Sequence, residues 1–336
     1  MNNSTKGKAG ISLAMMIFGS IGLFVRAVDA QSSQIALSRA AIGSVFLIIV
    51  SWVIKIRTKS INNQFFENRV KFSQIADKTH NIQNAKNLRL LLISGAAIGF
   101  NWIFLFEAYK NTSIAVATVS YYFAPVFVIL LSPIVLGEKI SRLRILTMFT
   151  AFAGLVLTIV GELSGQSLGI DEIFSGRGIT GVLFGLSAAL LYASVILITK
   201  RIHDIPGLEM TQLQLTSAFV VLLPYVAFTS GFASLVSLSP QELVILATLG
   251  IIHTGFAYFL YFSSARQVPA QSIALLSYID PVFAIFFAAV FLKEIPGPLQ
   301  IAGAVLILGS AFFSETVIPS YINVRKLKNP SADDTV

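Results

Sequence analysis

The stretch YFAPVFVILLSPIVLGE, residues 122–138, returns 156 residues later as YIDPVFAIFFAAVFLKE, residues 278–294. Aligned without a gap, the two share Tyr122/Tyr278, Pro125/Pro281, Val126/Val282, Phe127/Phe283, Ile129/Ile285, Leu136/Leu292 and Glu138/Glu294. Extended upstream in the same register, the match adds Gly99/Gly255, Phe100/Phe256 and Phe106/Phe262. Ten of the forty positions from 99 to 138 are then identical, against about three expected by chance in so biased a composition. A fixed offset kept by Pro, Tyr and Glu as well as by apolar residues marks an internal duplication.

Each copy is continuously apolar instead of alternating, which describes helices and excludes the strands of a β-barrel. A helix crossing the hydrocarbon layer needs about 20 apolar residues. Cutting the chain at charged and turn-forming residues gives ten such segments: 10–28, 33–54, 88–108, 112–136, 141–161, 178–199, 210–230, 241–264, 269–292 and 297–317. The whole composition agrees: of 336 residues 55% are hydrophobic and 12% charged, where a soluble domain carries about 25% charged residues. With 27 Phe and a mean hydropathy of +0.79, soluble, disordered, collagen-like and nucleic-acid-binding classes are set aside. The expected class is all-α integral membrane. The first segment follows Lys6 and Lys8 in the manner of a signal peptide, but nine more spans follow it, so it is expected to be retained as an anchor.

Orientation follows from the basic residues. With the N-terminus inside, the inner connections hold Lys6, Lys8, the run from Lys55 to Arg89, Lys139, Arg142, Arg144, Lys200, Arg201, Arg266, Arg325, Lys326 and Lys328. Only Arg26, Lys110, Arg177 and Lys293 fall outside, so both termini are expected in the cytoplasm. The same rule accounts for the net charge of +8 without a nucleic acid. Five spans per copy is an odd number, so the copies are expected to lie in opposite orientations, the arrangement of secondary transporters with substrate at the midplane. The polar insertion at 55–87 is expected to be a solvated connector, a partner-docking loop or an amphipathic helix on the inner leaflet.

The Tyr122–Glu138 pattern, its second copy and the small-residue turns before them resemble the EamA-type transporters of the drug/metabolite transporter superfamily. The resemblance covers residues 10–317 and implies ten spans in two inverted five-helix repeats, 10–161 and 178–317, with the 55–87 loop longer than the usual connector. It also implies a bacterial cytoplasmic membrane and a small solute. Members of this family move amino acids, aromatic compounds, sugars, nucleotide precursors, polyamine-like drugs or choline.

Ionisable residues inside a span are expensive and usually face a cavity or a partner. Three stand out: Arg39, Glu107 and Asp280. Asp280 precedes Pro281 in mid-span, where proline frees a backbone carbonyl, and its repeat counterpart is Ala124. It is expected either to bind substrate or a proton, or to fix the kink. Arg39 and Glu107 lie at similar depth, which suggests an outer ion pair acting as gate or brace. Arg39 alone would instead clamp a carboxylate through its planar fork. Tyr122, Tyr192, Tyr258 and Tyr278, with Tyr121, are candidate cavity walls that stack on aromatic groups or face an ammonium. Trp102 and Tyr109 read as interfacial or packing residues. Asn101, Thr254 and Ser277 offer hydrogen bonds, to substrate or between helices. Pro125 and Pro281 are candidate hinges, with Pro133 and Pro224 as further breaks.

Gly95/Gly99 and Gly181/Gly185 have the spacing of close helix contacts. Glu138 and Glu294 read as caps, or as partners of neighbours such as Arg142. His80, His203 and His253 lack metal spacing, no cysteine occurs, and no G-x-x-x-x-G-K-[ST] is found, so no metal, cofactor or ATP-driven step is expected. His253 reads as a packing histidine. The expected function is alternating-access movement, with export favoured, of an amino acid or similar small solute, with protons as a possible partner and oligomeric state left open. A choline, amine or drug permease of the same fold is the alternative. A membrane receptor or scaffold without transport is the alternative of another class, and an intramembrane enzyme lacks its catalytic motifs.

Overall fold

A computed structural model describes residues 3–62, 77–112, 114–162, 176–202, 205–293 and 295–317. Ten helical stretches in it are long and apolar enough to cross a membrane: Ser4–Val25, Ser32–Ile54, Ala85–Asn111, Val116–Leu136, Arg142–Gly161, Gly178–Arg201, Gly207–Thr229, Pro240–Ala265, Ala270–Leu292 and Pro298–Thr316. We call them spans one to ten. No strand occurs among the described residues. The fold is all-helical and multi-pass. His203, Glu294 and most of the 162–177 connection lie outside the described residues, as do the core of the 55–87 insertion and the basic tail.

Helix ends depart from hydropathy ends where charged residues keep a helix going. The first helix begins at Asn3, seven residues before the expected edge, with Lys6 and Lys8 inside it. Straight-chain lysines are good helix formers, and their long stems let the ammonium reach water. For the same reason the second helix runs Ser32–Asn62 and the third Asp77–Asn111, so helix extends into the insertion from both sides.

Five spans are not regular α-helix throughout. The fourth breaks into Ile114–Tyr121 and Ala124–Leu136, and the ninth into Ala270–Ser277 and Ile279–Phe287, each just before the matched proline. Proline withholds a backbone donor, so the preceding turn comes apart there. Pro133 and Pro224 do not break their helices, contrary to expectation. Pro133 is half-buried and Pro224 exposed, so neither owes its unbroken helix to burial in the core. The first span breaks after Gly19. The eighth widens to a π-turn stretch over Leu249–Phe256, and the ninth and tenth end in shorter ones.

The major packed pairs form a pattern that survives exchanging every span with the one five places on. Span three packs on six as eight packs on one. Three packs on seven as eight packs on two, and four on six as nine on one. Two with seven and five with ten map onto themselves. Spans four and nine meet through Ala124–Leu136 and Ala270–Ser277, the halves beyond and before their breaks, while Ile114–Tyr121 and Ile279–Phe287 have no comparable contact. The two copies also end alike: Gly137 at φ 69° and Lys293 at φ 58°, one repeat apart, both take the left-handed conformation that closes a helix.

Small residues set the tightest crossings. A Cβ on Gly303 would stand 2.3 Å from the Gly154 carbonyl, so spans five and ten touch backbone to backbone. Gly95 and Gly99 meet the seventh span at Gln214 and Val221, while Gly181 and Gly185 meet Thr112 and Ser120, as their spacing predicts. Phe228, Ile134 and Leu146 point outward with most of their surface uncovered, which suits lipid as the outer solvent.

Candidate functional site

A cavity of about 570 Å³ lies among spans one, two, three, four, six, eight and nine. Its mouth is marked by Arg26 at the end of span one, Ser32 at the start of two, Tyr109 near the end of three and Leu292 at the end of nine. That is the face opposite the one from which the chain enters. Its deep end is walled by Arg39, Tyr122, Tyr192, Tyr258, Ser277 and Asp280. Five of the seven residues expected to bind substrate (Arg39, Tyr122, Tyr192, Tyr258 and Asp280) therefore converge in one place, and Pro125 joins their wall.

Asp280 sits in the first turn of the half-helix Ile279–Phe287. The free N–H groups of such a turn favour a negative group beside them. Among the described residues its carboxylate accepts one side-chain hydrogen bond, at Oδ2 from the Tyr122 hydroxyl at 3.0 Å, a contact that joins the two breaks. Arg39 is held by two neighbours. Its Nε donates to Thr254 Oγ1 at 3.0 Å, and its guanidinium carbon stands 5.5 Å from the Trp102 ring centroid. Thr254 in turn donates to Leu249 O at 3.0 Å inside the π-turn stretch of span eight. The planar guanidinium is thus laid on a ring, leaving its two amino groups at the cavity. No ion pair joins Arg39 to Asp280.

Aromatic rings connect these charges. Tyr258 packs edge-on against Phe18 at 5.1 Å and Trp102 at 6.2 Å. Tyr121 lies 5.8 Å from Tyr122 and 6.0 Å from Tyr192. Such a wall presents π-faces to a cation or an apolar group.

Two expected wall residues stand behind the wall instead. Tyr278 is fully buried, stacks on its repeat counterpart Tyr122 at 6.4 Å and donates its hydroxyl to Tyr122 O at 3.2 Å. Asn101 donates Nδ2 to Ala188 O at 2.6 Å, tying span three to span six. Each satisfies a backbone carbonyl, which in an apolar interior outweighs reaching for a cavity. The expected Arg39–Glu107 pair does not form. Glu107 accepts from Lys110 at 2.7 Å and from the Tyr225 hydroxyl at 2.5 Å, and lines no part of the cavity. Lys110 lies one turn away on the same helix, so this partner was within reach without folding. Trp102 and Tyr109, expected at the interface or in helix packing, belong to the wall, Trp102 being also buried in the packed core beside Arg39. His253 packs as expected, its Nε2 2.9 Å from Ser20 Oγ and its ring 4.8 Å from Phe24.

The end of the cavity away from the mouth is sealed by polar contacts. Glu138 accepts from the Ala270 N–H with both oxygens, at 2.9 and 3.1 Å, and lies 3.9 Å from Lys200. It caps span nine, as expected, but its basic neighbour is Lys200 and not Arg142. Arg144 donates to Gln271 Oε1 and Gln271 Nε2 to Lys139 O, both at 2.9 Å. Just above, Tyr192 donates to the Tyr261 hydroxyl at 3.1 Å. The molecule is open on one face and closed on the other.

Ten apolar helices, seven of them around a one-sided central cavity, suit a multi-pass membrane transporter. The EamA-like transporter family model matches residues 5–160 and 179–316, and the chain belongs to that family. An uncharacterized transporter YxxF of Bacillus subtilis is 28% identical over 88% of this chain and 85% of its own length. A probable amino-acid metabolite efflux pump of Salmonella typhimurium is 25% identical over 68% of this chain and 76% of its own length. A solved crystal structure covering 93% of this chain and 98% of its own superposes with a TM-score of 0.72 at 18% identity, which supports the fold alone.

Proposed function

We propose that the protein is a secondary transporter for a small zwitterionic metabolite of the amino-acid type, carried by alternating access. The observation that carries this reading is the placing of Arg39 and Asp280 in one cavity without a bond between them. A guanidinium with free amino groups suits a carboxylate, and a carboxylate among tyrosines suits an ammonium. A ligand with both groups satisfies both charges at once, whereas an amine or an acid leaves one of them uncompensated in an apolar interior. The relative named as a probable amino-acid metabolite efflux pump supports the same solute class and an outward direction.

The exchangeable packing pattern supports two inverted repeats, 10–161 and 178–317, hinged at the breaks before Pro125 and Pro281. The Lys and Arg asymmetry supports both termini in the cytoplasm of a bacterial cell, with the cavity facing outward. Asp280 is the group placed to take either the ammonium or a proton.

The test is binding to protein reconstituted in liposomes, with leucine compared with isoamylamine and 4-methylpentanoate, which lack its carboxylate and its ammonium. Hydrogen bonds to charged groups are worth about 1.5–3 kcal/mol, so each truncated analogue should bind at least about tenfold more weakly. Asp280→Asn should remove the preference over the acid, and Arg39→Gln the preference over the amine. Isoamylamine bound as tightly as leucine would establish an amine permease and overturn the zwitterion reading.

A further inference from the structure

Beside the main cavity lies a second one of about 240 Å³, and the two share the walls Arg26, Thr118, Tyr122, Ala284 and Ala288. The shared residues lie on the splayed halves of spans four and nine, with Arg26 at the rim. Ala284 and Ala288 follow Asp280 by one and two helical turns, so small side chains line the helix face leading away from the carboxylate. Beyond them the lining is mostly apolar, with Leu155, Ile159, Pro281, Ile285, Ile295 and Pro296, and it includes Thr158, whose buried hydroxyl has no partner among the described residues. Gln300 also borders the pocket, but its amide oxygen is already engaged by the Gly297 N–H at 2.8 Å. At the back, spans five and ten close against each other at Gly154 and Gly303, next to Leu155, so the pocket is blind on that side.

We infer that this side pocket receives the apolar side chain of the substrate, which makes the transported class amino acids with branched or aromatic side chains. The inference rests on the zwitterion reading above. A ligand whose ammonium meets Asp280 has its side chain directed past Ala284 and Ala288 into this mostly apolar chamber. A cavity of about 150 Å³ lined by aliphatic residues already accommodates benzene, so a chamber of about 240 Å³ admits a phenyl or isobutyl group. The pocket lies where the outer halves of spans four and nine stand apart, so its occupant also fills the gap between them.

The experiment measures affinities of the reconstituted protein for glycine, alanine, valine, leucine and phenylalanine. Each buried methylene adds about fourfold, so affinity should climb along the series. Ile285→Phe, which fills the pocket from a position outside the main cavity, should lower the phenylalanine-to-alanine affinity ratio at least tenfold. Ile285→Ala enlarges the pocket and should raise that ratio, a gain that misfolding does not produce. A flat series in the wild type, or ratios untouched by both substitutions, overturns the side-pocket assignment and leaves the zwitterion reading standing. Failure of every zwitterion to bind overturns both.

Discussion

Replacing Glu138 by glutamine should loosen the sealed face and draw the protein towards its opposite state. In the structure this carboxylate accepts the Ala270 N–H with both oxygens and lies 3.9 Å from Lys200. The two side chains are only 19% and 14% accessible, so water screens the pair weakly. Glutamine keeps an oxygen for the amide but loses the charge. The loss comprises the charge-assisted part of the hydrogen bond, the favourable placement at the start of span nine, and the attraction to Lys200. Together these come to about 2 kcal/mol, roughly a thirtyfold shift in the equilibrium between closed and open inner faces. The natural absence of cysteine makes the assay clean. Ser272 is buried behind the seal, and Ser272→Cys gives a single thiol there. In membrane vesicles exposing the face that carries Glu138, a membrane-impermeant maleimide should label this thiol roughly thirty times faster with Glu138→Gln than without it. A change of less than twofold would refute the role of Glu138 as the seal.

Three further outcomes are expected. Arg39→Lys should weaken leucine binding at least about tenfold, because lysine loses both the fork and the stacking on Trp102; Glu107→Gln, outside the cavity, should change it less than twofold by the same titration. Gly303→Ala puts a methyl 2.3 Å from the Gly154 carbonyl and should lower the unfolding free energy by about 1–3 kcal/mol, read as a drop in melting temperature in detergent. Lys293→Gly relieves a side chain held at φ 58° and should stabilise by about 1 kcal/mol in the same assay.

The number of spans was legible because hydropathy alone sets it, and the repeat because proline, tyrosine and glutamate recur at one offset. Helix ends were less so: lysines at 6 and 8 lower hydropathy without ending a helix. Asp280 announced itself as a carboxylate in mid-span beside a proline, and the structure sets it in the cavity. Arg39 announced itself equally, yet its neighbours did not. Depth along a span is readable from sequence, but the angle around the bundle is not, so Glu107 seemed a partner while Thr254 and Trp102 are the ones found. The same ignorance of angle misplaced Asn101 and Tyr278, whose polar atoms turn to backbone carbonyls of other spans. Which face is open is a property of packing between distant segments and leaves no local trace.

The exchange of packed pairs fails at a few places. Span six touches eight and nine at the sealed end, while the corresponding approaches of span one to three and four have no comparable contact. On the transport cycle proposed above, these mismatches mark the conformation that is open on one face. Under the alternating access proposed above, the same map read with the spans exchanged would draw the other conformer, in which one closes on three and four while six withdraws from eight and nine. Two such conformers, built from interchangeable contacts, would start near parity in energy, leaving the bias between them to positions without a twin. Asp280 opposite Ala124, and Lys293 opposite Gly137, are two such positions, and substitutions there would shift the resting state without rebuilding the bundle.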